Sequence, residues 1–160
     1  MTKFKPLRMF GSKIPKVALF LGVMGATPFV FLSVCLQYVQ NVNLYYSVFF
    51  SLNTYAAIIL SFLGGVSWGV IMSNADKAHA SIGFGRGLCI SIVPSLVGWL
   101  SLFLEPTHSV NILCVMFFLV FYSDLILLRK ELLPKWYFQL RCLLTGIVIS
   151  TLIAAKLSSL

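Results

Sequence analysis

Apolar residues run in five long stretches separated by short polar segments, at about residues 17–39, 46–72, 88–104, 110–128 and 136–157. A helix needs about 20 residues to cross a hydrocarbon core, and each stretch meets or approaches that length. The pattern predicts an all-α fold, a polytopic integral membrane bundle of five transmembrane helices forming a single transmembrane domain over 1–160. The third stretch is the shortest and the second the longest, so the third is expected to stand upright and the second to tilt.

Within the second stretch, small residues recur at every fourth position: Ala57, Ser61, Gly65, Gly69 and Ser73, with Trp68 in the same turn. In lipid, where helices gain little from hiding carbon, small side chains let two backbones approach closely. Similar ladders run through Ala18, Gly22 and Ala26 and through Gly146, Ser150, Ala154 and Ser158. A four-residue step drifts around a straight helix and is matched by a right-handed crossing, as in G-x-x-x-G pairs. The strict pair Gly65 and Gly69 is expected to meet the ladder of the first helix, because a short loop makes those two helices antiparallel neighbours. A homodimer seam is the alternative. Pro28 and Pro94 fall inside spans, where each removes a backbone hydrogen bond, so that a hydroxyl such as Ser91, or a water, is expected to satisfy the freed carbonyl.

Composition removes the soluble alternatives. Of 160 residues, 59% are hydrophobic and 10% charged, and the mean hydropathy of +0.97 lies outside the range of soluble domains. Twelve Lys and Arg against four Asp and Glu give a net charge of +8, which suits nucleic acid, anionic lipid or membrane topology. Position decides among these. Lys3, Lys5, Arg8, Lys13, Lys16, Lys77, Arg86, Arg129, Lys130, Lys135 and Arg141 all fall at one predicted end of the bundle, leaving Lys156 for the other. That asymmetry predicts an N-terminus in the cytoplasm or matrix and a C-terminus across the membrane. Short loops without a groove-reading element argue against nucleic acid as a partner.

The aromatic residues agree with this map. Tyr38, Tyr45, Tyr46 and Trp99 fall near the predicted outer boundary, and Trp68, Tyr122, Trp136 and Tyr137 near the inner one, with Tyr55 deeper in the second span. The basic N-terminal segment leads into an apolar run too long for a usual signal peptide, so a retained first helix is expected. Its only hydroxyl residues, Thr2 and Ser12, argue against a transit peptide. The expected location is a bacterial inner (plasma) membrane, with a mitochondrial inner membrane as the alternative.

Few groups are available for chemistry. Cys35, Cys89, Cys114 and Cys142 lie on four different spans without paired spacing, which fits small buried hydrophobes better than a disulfide or metal site. The run Gly83-Phe84-Gly85-Arg86-Gly87 sits between two spans and lacks the preceding strand of a phosphate-binding loop. His79 and His108 lie in loops on opposite sides, and Asp76, Glu105 and Glu131 also fall in loops. Asp124 alone is an acid within a span. An unpaired carboxylate there costs at least about 2.5 kcal/mol, and Arg141, at a similar depth on the returning helix, is its expected partner. No catalytic, cofactor-binding or metal-ligating residue is assigned, and no cofactor is expected.

Three strings carry a resemblance: Thr54 to Gly69 (TYAAIILSFLGGVSWG), Ser91 to Leu100 (SIVPSLVGWL) and Asp124 to Arg141 (DLILLRKELLPKWYFQLR). Their distinguishing residues are Ser61, Phe62, Gly64, Gly65, Trp68 and Gly69 in the first and Pro94 and Trp99 in the second. Pro134, Trp136, Tyr137 and Arg141 mark the third. The chain resembles the transmembrane protein 69 family, small multi-pass proteins of proteobacteria and mitochondria defined by a domain of unknown function. The resemblance implies a multi-pass fold and carries over no reaction.

The residues favour a non-enzymatic helper or scaffold for a membrane complex, in contact with the lipid bilayer and with a membrane-protein partner or further copies of itself. The alternative is a small transporter or channel, its path lined by Asn53, Ser61, Ser67, Ser95 and Asp124. A third reading is a lipid-headgroup-modifying enzyme using Asp124 and Arg141.

Overall fold

The structure, a computed structural model, describes residues 13–158. Lys3, Lys5 and Arg8 of the basic N-terminal segment, with Thr2 and Ser12, lie outside the described residues. The elements are α1 (Lys16–Tyr38), α2 (Val42–Ser73), α3 (Ala75–Ser81), α4 (Phe84–Ser101), α5 (Pro106–Arg129) and α6 (Lys135–Leu157), with no strand among the described residues. All but α3 are long and apolar enough to cross a membrane.

Local chemistry sets the helix ends. The side chain of Asn41 accepts from the Asn43 and Leu44 amides at 3.0 and 3.2 Å, satisfying donors that the first turn of α2 would leave orphaned. This cap starts α2 four residues before the predicted boundary. Pro15 and Pro134 directly precede α1 and α6, and Pro106 opens α5, where a missing amide hydrogen costs nothing. The end of α5 closes on Glu131, at φ 57°. The Glu131 amide donates to Leu128 O at 3.0 Å and the Leu132 amide to Leu127 O at 2.9 Å, a Schellman closure built on a residue other than glycine.

Two sequence expectations about boundaries are corrected. The predicted loop over 73–87 holds the short helix α3 and the first turn of α4, because Ala78 is buried and Asp76 stands in α3's first turn. The third span therefore runs over Phe84–Ser101 rather than 88–104. Gly83, at φ 77°, makes the bend between α3 and α4, a conformation that residues with a Cβ rarely adopt. Gly87 is buried against Ile71 and Ile82, so the glycine-rich run is a packed helix start.

Helix α2 is the hub, packing most extensively on α4 and also on α1 and α5, while α1 leans chiefly on α6. Phe29, Leu52, Leu60, Leu113, Phe117 and Leu152 form the centre of the core. Phe29 meets Tyr55 and Phe117 edge-on, with ring centroids 5.0 and 6.1 Å apart. A second cluster, with Ile71, Ala78, Leu127, Leu132 and Phe138, closes the end where the basic residues gather.

The small-residue ladder of α2 does not act as its predicted packing seam. Ala57 is 8% exposed, but Ser61, Gly65, Gly69 and Ser73 are exposed, and a Cβ on Gly65 or Gly69 would meet nothing within 4 Å. A step of four overshoots one helical turn by about 40°, so the ladder leaves the buried face as it climbs. The close approach follows a step of seven, which falls only about 20° short of two turns. A Cβ on Gly64 would overlap the Ser91 carbonyl oxygen, and a Cβ on Gly98 would lie 3.3 Å from Ala57 Cα. The partner of this seam is α4, not α1. The ladder of the first helix turns instead toward α6, where a Cβ on Gly22 would lie 2.9 Å from Leu144 Cδ1; Ala18 and Gly22 are half-buried and Ala26 is buried. In α6, Gly146 and Ser150 are exposed.

Candidate functional site

The turn after α5 reverses the chain so that the last two turns of α5 face the first two of α6. Asp124 and Arg141 meet there. Arg141 Nε donates to Asp124 Oδ2 at 2.9 Å, with the two residues 5% and 2% exposed. The contact uses only one arm of the guanidinium. Arg141 Nη2 is buried and has no hydrogen-bond partner among the described residues, and the same holds for Thr145 Oγ1, one turn further along α6. Thr145 is 5% exposed. A buried donor left unsatisfied costs about 1–3 kcal/mol, so two on one helix face mark a place where the fold gives up stability.

Both residues line a cleft of about 280 Å³ between α1, α2 and α6, walled by Gly22, Gly25, Phe29, Leu63, Leu140 and Val148 and by the rings of Trp136 and Tyr137. Two lining residues, Leu21 and Phe62, are largely exposed, so the cleft opens sideways through the surface of the bundle. Above it, Tyr55 Oη donates to Gly25 O at 2.8 Å. That carbonyl is next to the Met24 carbonyl, which loses its usual donor because Pro28 has no amide hydrogen.

A larger cavity of about 390 Å³ lies between α2, α4 and α5. Its serine hydroxyls are committed to their own helices: Ser67 donates to Leu63 O at 3.2 Å, Ser91 to Gly87 O at 2.8 Å and Ser123 to Val120 O at 2.9 Å. The Ser91 bond corrects the expectation that this hydroxyl serves the carbonyl freed by Pro94, which belongs to Ile90. A serine reaches back one turn along its own helix more readily than to the residue just before it.

The other residues singled out in the sequence are scattered. Of the proposed transport path, only Ser67 lines either cavity. Asn53 Nδ2 donates to Pro106 O at 3.3 Å, Ser61 is exposed, and Ser95 donates to Ile92 O at 2.7 Å. His79 stacks on Phe84 with ring centroids 4.7 Å apart, while His108 lies 3.9 Å from Glu105 on the surface. The four cysteines are free. Trp68 Nε1 donates to Met72 Sδ at 2.7 Å along its own helix, and Trp99 packs edge-on against Phe103. The third resemblance string builds the cleft: Pro134 opens α6, and Trp136, Tyr137 and Arg141 line the wall, facing Phe62 of the first string. Thr145 was not singled out in the sequence, although it follows Arg141 by one turn and so shares its face.

The family model described as "Protein of unknown function (DUF3429)" matches residues 14–157, nearly the whole chain. The chain belongs to this family. This DUF3429 chain is also 34% identical over 149 residues to a curated protein, Transmembrane protein 69 of Xenopus tropicalis. The alignment covers 91% of the chain and 55% of that relative, so the chain spans little more than half of the relative's length. No solved structure matches it. Within this DUF3429 bundle, the Arg141 and Thr145 face can donate hydrogen bonds into a largely apolar space. The Asp124 carboxylate is turned toward Arg141 and lines neither cavity.

Proposed function

We propose that this protein is a non-enzymatic membrane helper, a scaffold whose central helix receives a transmembrane helix of a partner membrane protein. The observation supporting the reading is the outward face of α2. Gly65 and Gly69 lie one turn apart on the surface of the bundle, with open space where each would carry a Cβ, flanked by the exposed Ser61 and Ser73. The protomer uses Gly64 and Gly98 for its own close packing and leaves this second small-residue face uncovered. A helix from another chain could approach it to backbone distance, which is how small residues contribute to association in lipid. In this reading the basic end faces the cytoplasm or matrix, and the membrane is a bacterial plasma membrane or, alternatively, a mitochondrial inner membrane.

Extraction in a mild detergent followed by native electrophoresis and affinity purification tests this. The wild-type chain should migrate in an assembly containing a second membrane protein in fixed ratio. A Gly65→Ile/Gly69→Ile double variant should fold, since a Cβ at either position meets no described residue within 4 Å, and should migrate alone. A wild-type chain that migrates alone under conditions preserving known complexes overturns the reading, and an assembly of identical copies replaces it with a homo-oligomer.

A further inference from the structure

We propose that the cleft between α1, α2 and α6 binds a neutral, lipid-soluble ring compound through a carbonyl oxygen, held by Arg141 Nη2 and Thr145 Oγ1. Both groups are at least nine-tenths buried, both lack a hydrogen-bond partner among the described residues, and both line the same cleft. They stand one turn apart on one helix face, so a single acceptor atom placed between them can take a hydrogen bond from each.

The sign of the site excludes the more obvious anion. Asp124 already neutralises Arg141 through the 2.9 Å contact, so a bound carboxylate or phosphate would leave a net negative charge at hydrocarbon depth, where unpaired charge is strongly disfavoured. A neutral carbonyl accepts both bonds without adding charge. The rest of the lining is mostly carbon, with Phe29, Leu63, Leu140 and Val148 beside the aromatic Trp136 and Tyr137, which suits an apolar body with few polar atoms.

Size and access narrow the class further. The cleft's volume of about 280 Å³ is nearly twice the ~150 Å³ of a cavity that accepts benzene, which fits a fused two-ring head. Trp136 and Tyr137 add aromatic side chains to its lining, and the opening past Leu21 and Phe62 leads toward lipid, so a substituent on the ring can trail into the bilayer. A quinone ring meets all of these conditions. The inference does not rest on the scaffold reading: the two donors stand on α6, and Phe62 at the cleft mouth borders the Gly65–Gly69 face of α2.

The test is equilibrium binding of tritiated 2,3-dimethyl-1,4-naphthoquinone, which has no free ring position for thiol addition, to the purified chain in phosphatidylcholine nanodiscs, with empty nanodiscs as the blank. Saturable binding of one molecule per chain is expected, displaced by the unlabelled quinone but not by 2,3-dimethylnaphthalene. Thr145→Val keeps the side-chain shape and the Asp124 contact, and should weaken binding about fivefold through one lost hydrogen bond. Gly25→Leu, whose Cβ enters open space, should fill the cleft and abolish binding, while circular dichroism shows both variants helical. Binding no greater than the blank overturns the proposal. So does wild-type affinity in both variants, and so does tighter displacement by 2-naphthoate than by the quinone, which would mark an anion site.

Discussion

Gly64 on α2 faces the backbone carbonyl of Ser91 on α4 so closely that a Cβ there would overlap the oxygen, whereas the neighbouring Gly65 faces open space. Adjacent glycines therefore have opposite requirements. Gly64→Ala forces two backbones apart and should destabilise the bundle by about 1–3 kcal/mol, the usual cost of overpacking. Gly65→Ala should be neutral or stabilise by up to about 1 kcal/mol through helix propensity. Reversible unfolding in mixed micelles reads both, and equal effects at the two positions would refute this assignment of faces.

Asp124 and Arg141 share one buried contact, so their substitutions should not add. Removing either partner strands the other, and breaking a buried pair in this way costs about 3–5 kcal/mol. Asp124→Ala and Arg141→Ala should each lie near that range, and the double variant should fall at least about 1 kcal/mol below the sum of the singles. A sum that is simply additive would mean that the two residues stabilise the fold separately.

The sequence makes these two kinds of feature legible to different degrees. Five spans and the one acid in hydrocarbon are strong signals, because lipid penalises every exception to apolar content. Asp124 and Arg141 could be matched by depth alone on two antiparallel helices. The seam was harder to read: the step-of-four ladder from Ala57 to Ser73 is conspicuous, yet the packed positions follow the step of seven through Ala57 and Gly64, matched by Ser91 and Gly98. Which of two interleaved small-residue rows faces inward depends on helix rotation, and that is set by the whole bundle. Thr145 was illegible for another reason, since a threonine in a transmembrane helix normally satisfies itself on its own backbone, and only the fold shows that this one does not.

Orientation has a direct consequence for chemical access. In the proposed orientation, with the basic end in the cytoplasm or matrix, Lys77 and His108, both exposed, lie on opposite sides of the membrane. In a background with all four cysteines replaced by alanine or serine, Lys77→Cys should resist a membrane-impermeant maleimide in intact cells of a bacterial host and react only after permeabilisation. His108→Cys should react at once. The reverse pattern would invert the topology.

Tyr55 tests how α1 is held to α2. Its hydroxyl donates to Gly25 O at 2.8 Å, and its ring meets Phe29 edge-on with centroids 5.0 Å apart. Tyr55→Phe deletes the hydrogen bond and keeps the ring, so the expected cost is about 0.6 kcal/mol, the average for interhelical hydrogen bonds in a membrane protein, and up to about 1.7 kcal/mol at most. Tyr55→Ala removes the ring contact as well and should cost about 3–5 kcal/mol, as for large aromatic truncations in a core. Because the lost bond lies beside the unsatisfied stretch at Pro28, the Phe variant should also loosen α1 locally. Hydrogen exchange of the α1 amides next to Pro28 should rise in Tyr55→Phe while that of α5 amides stays at the wild-type rate. Uniform acceleration across both helices would instead assign the whole effect to global stability.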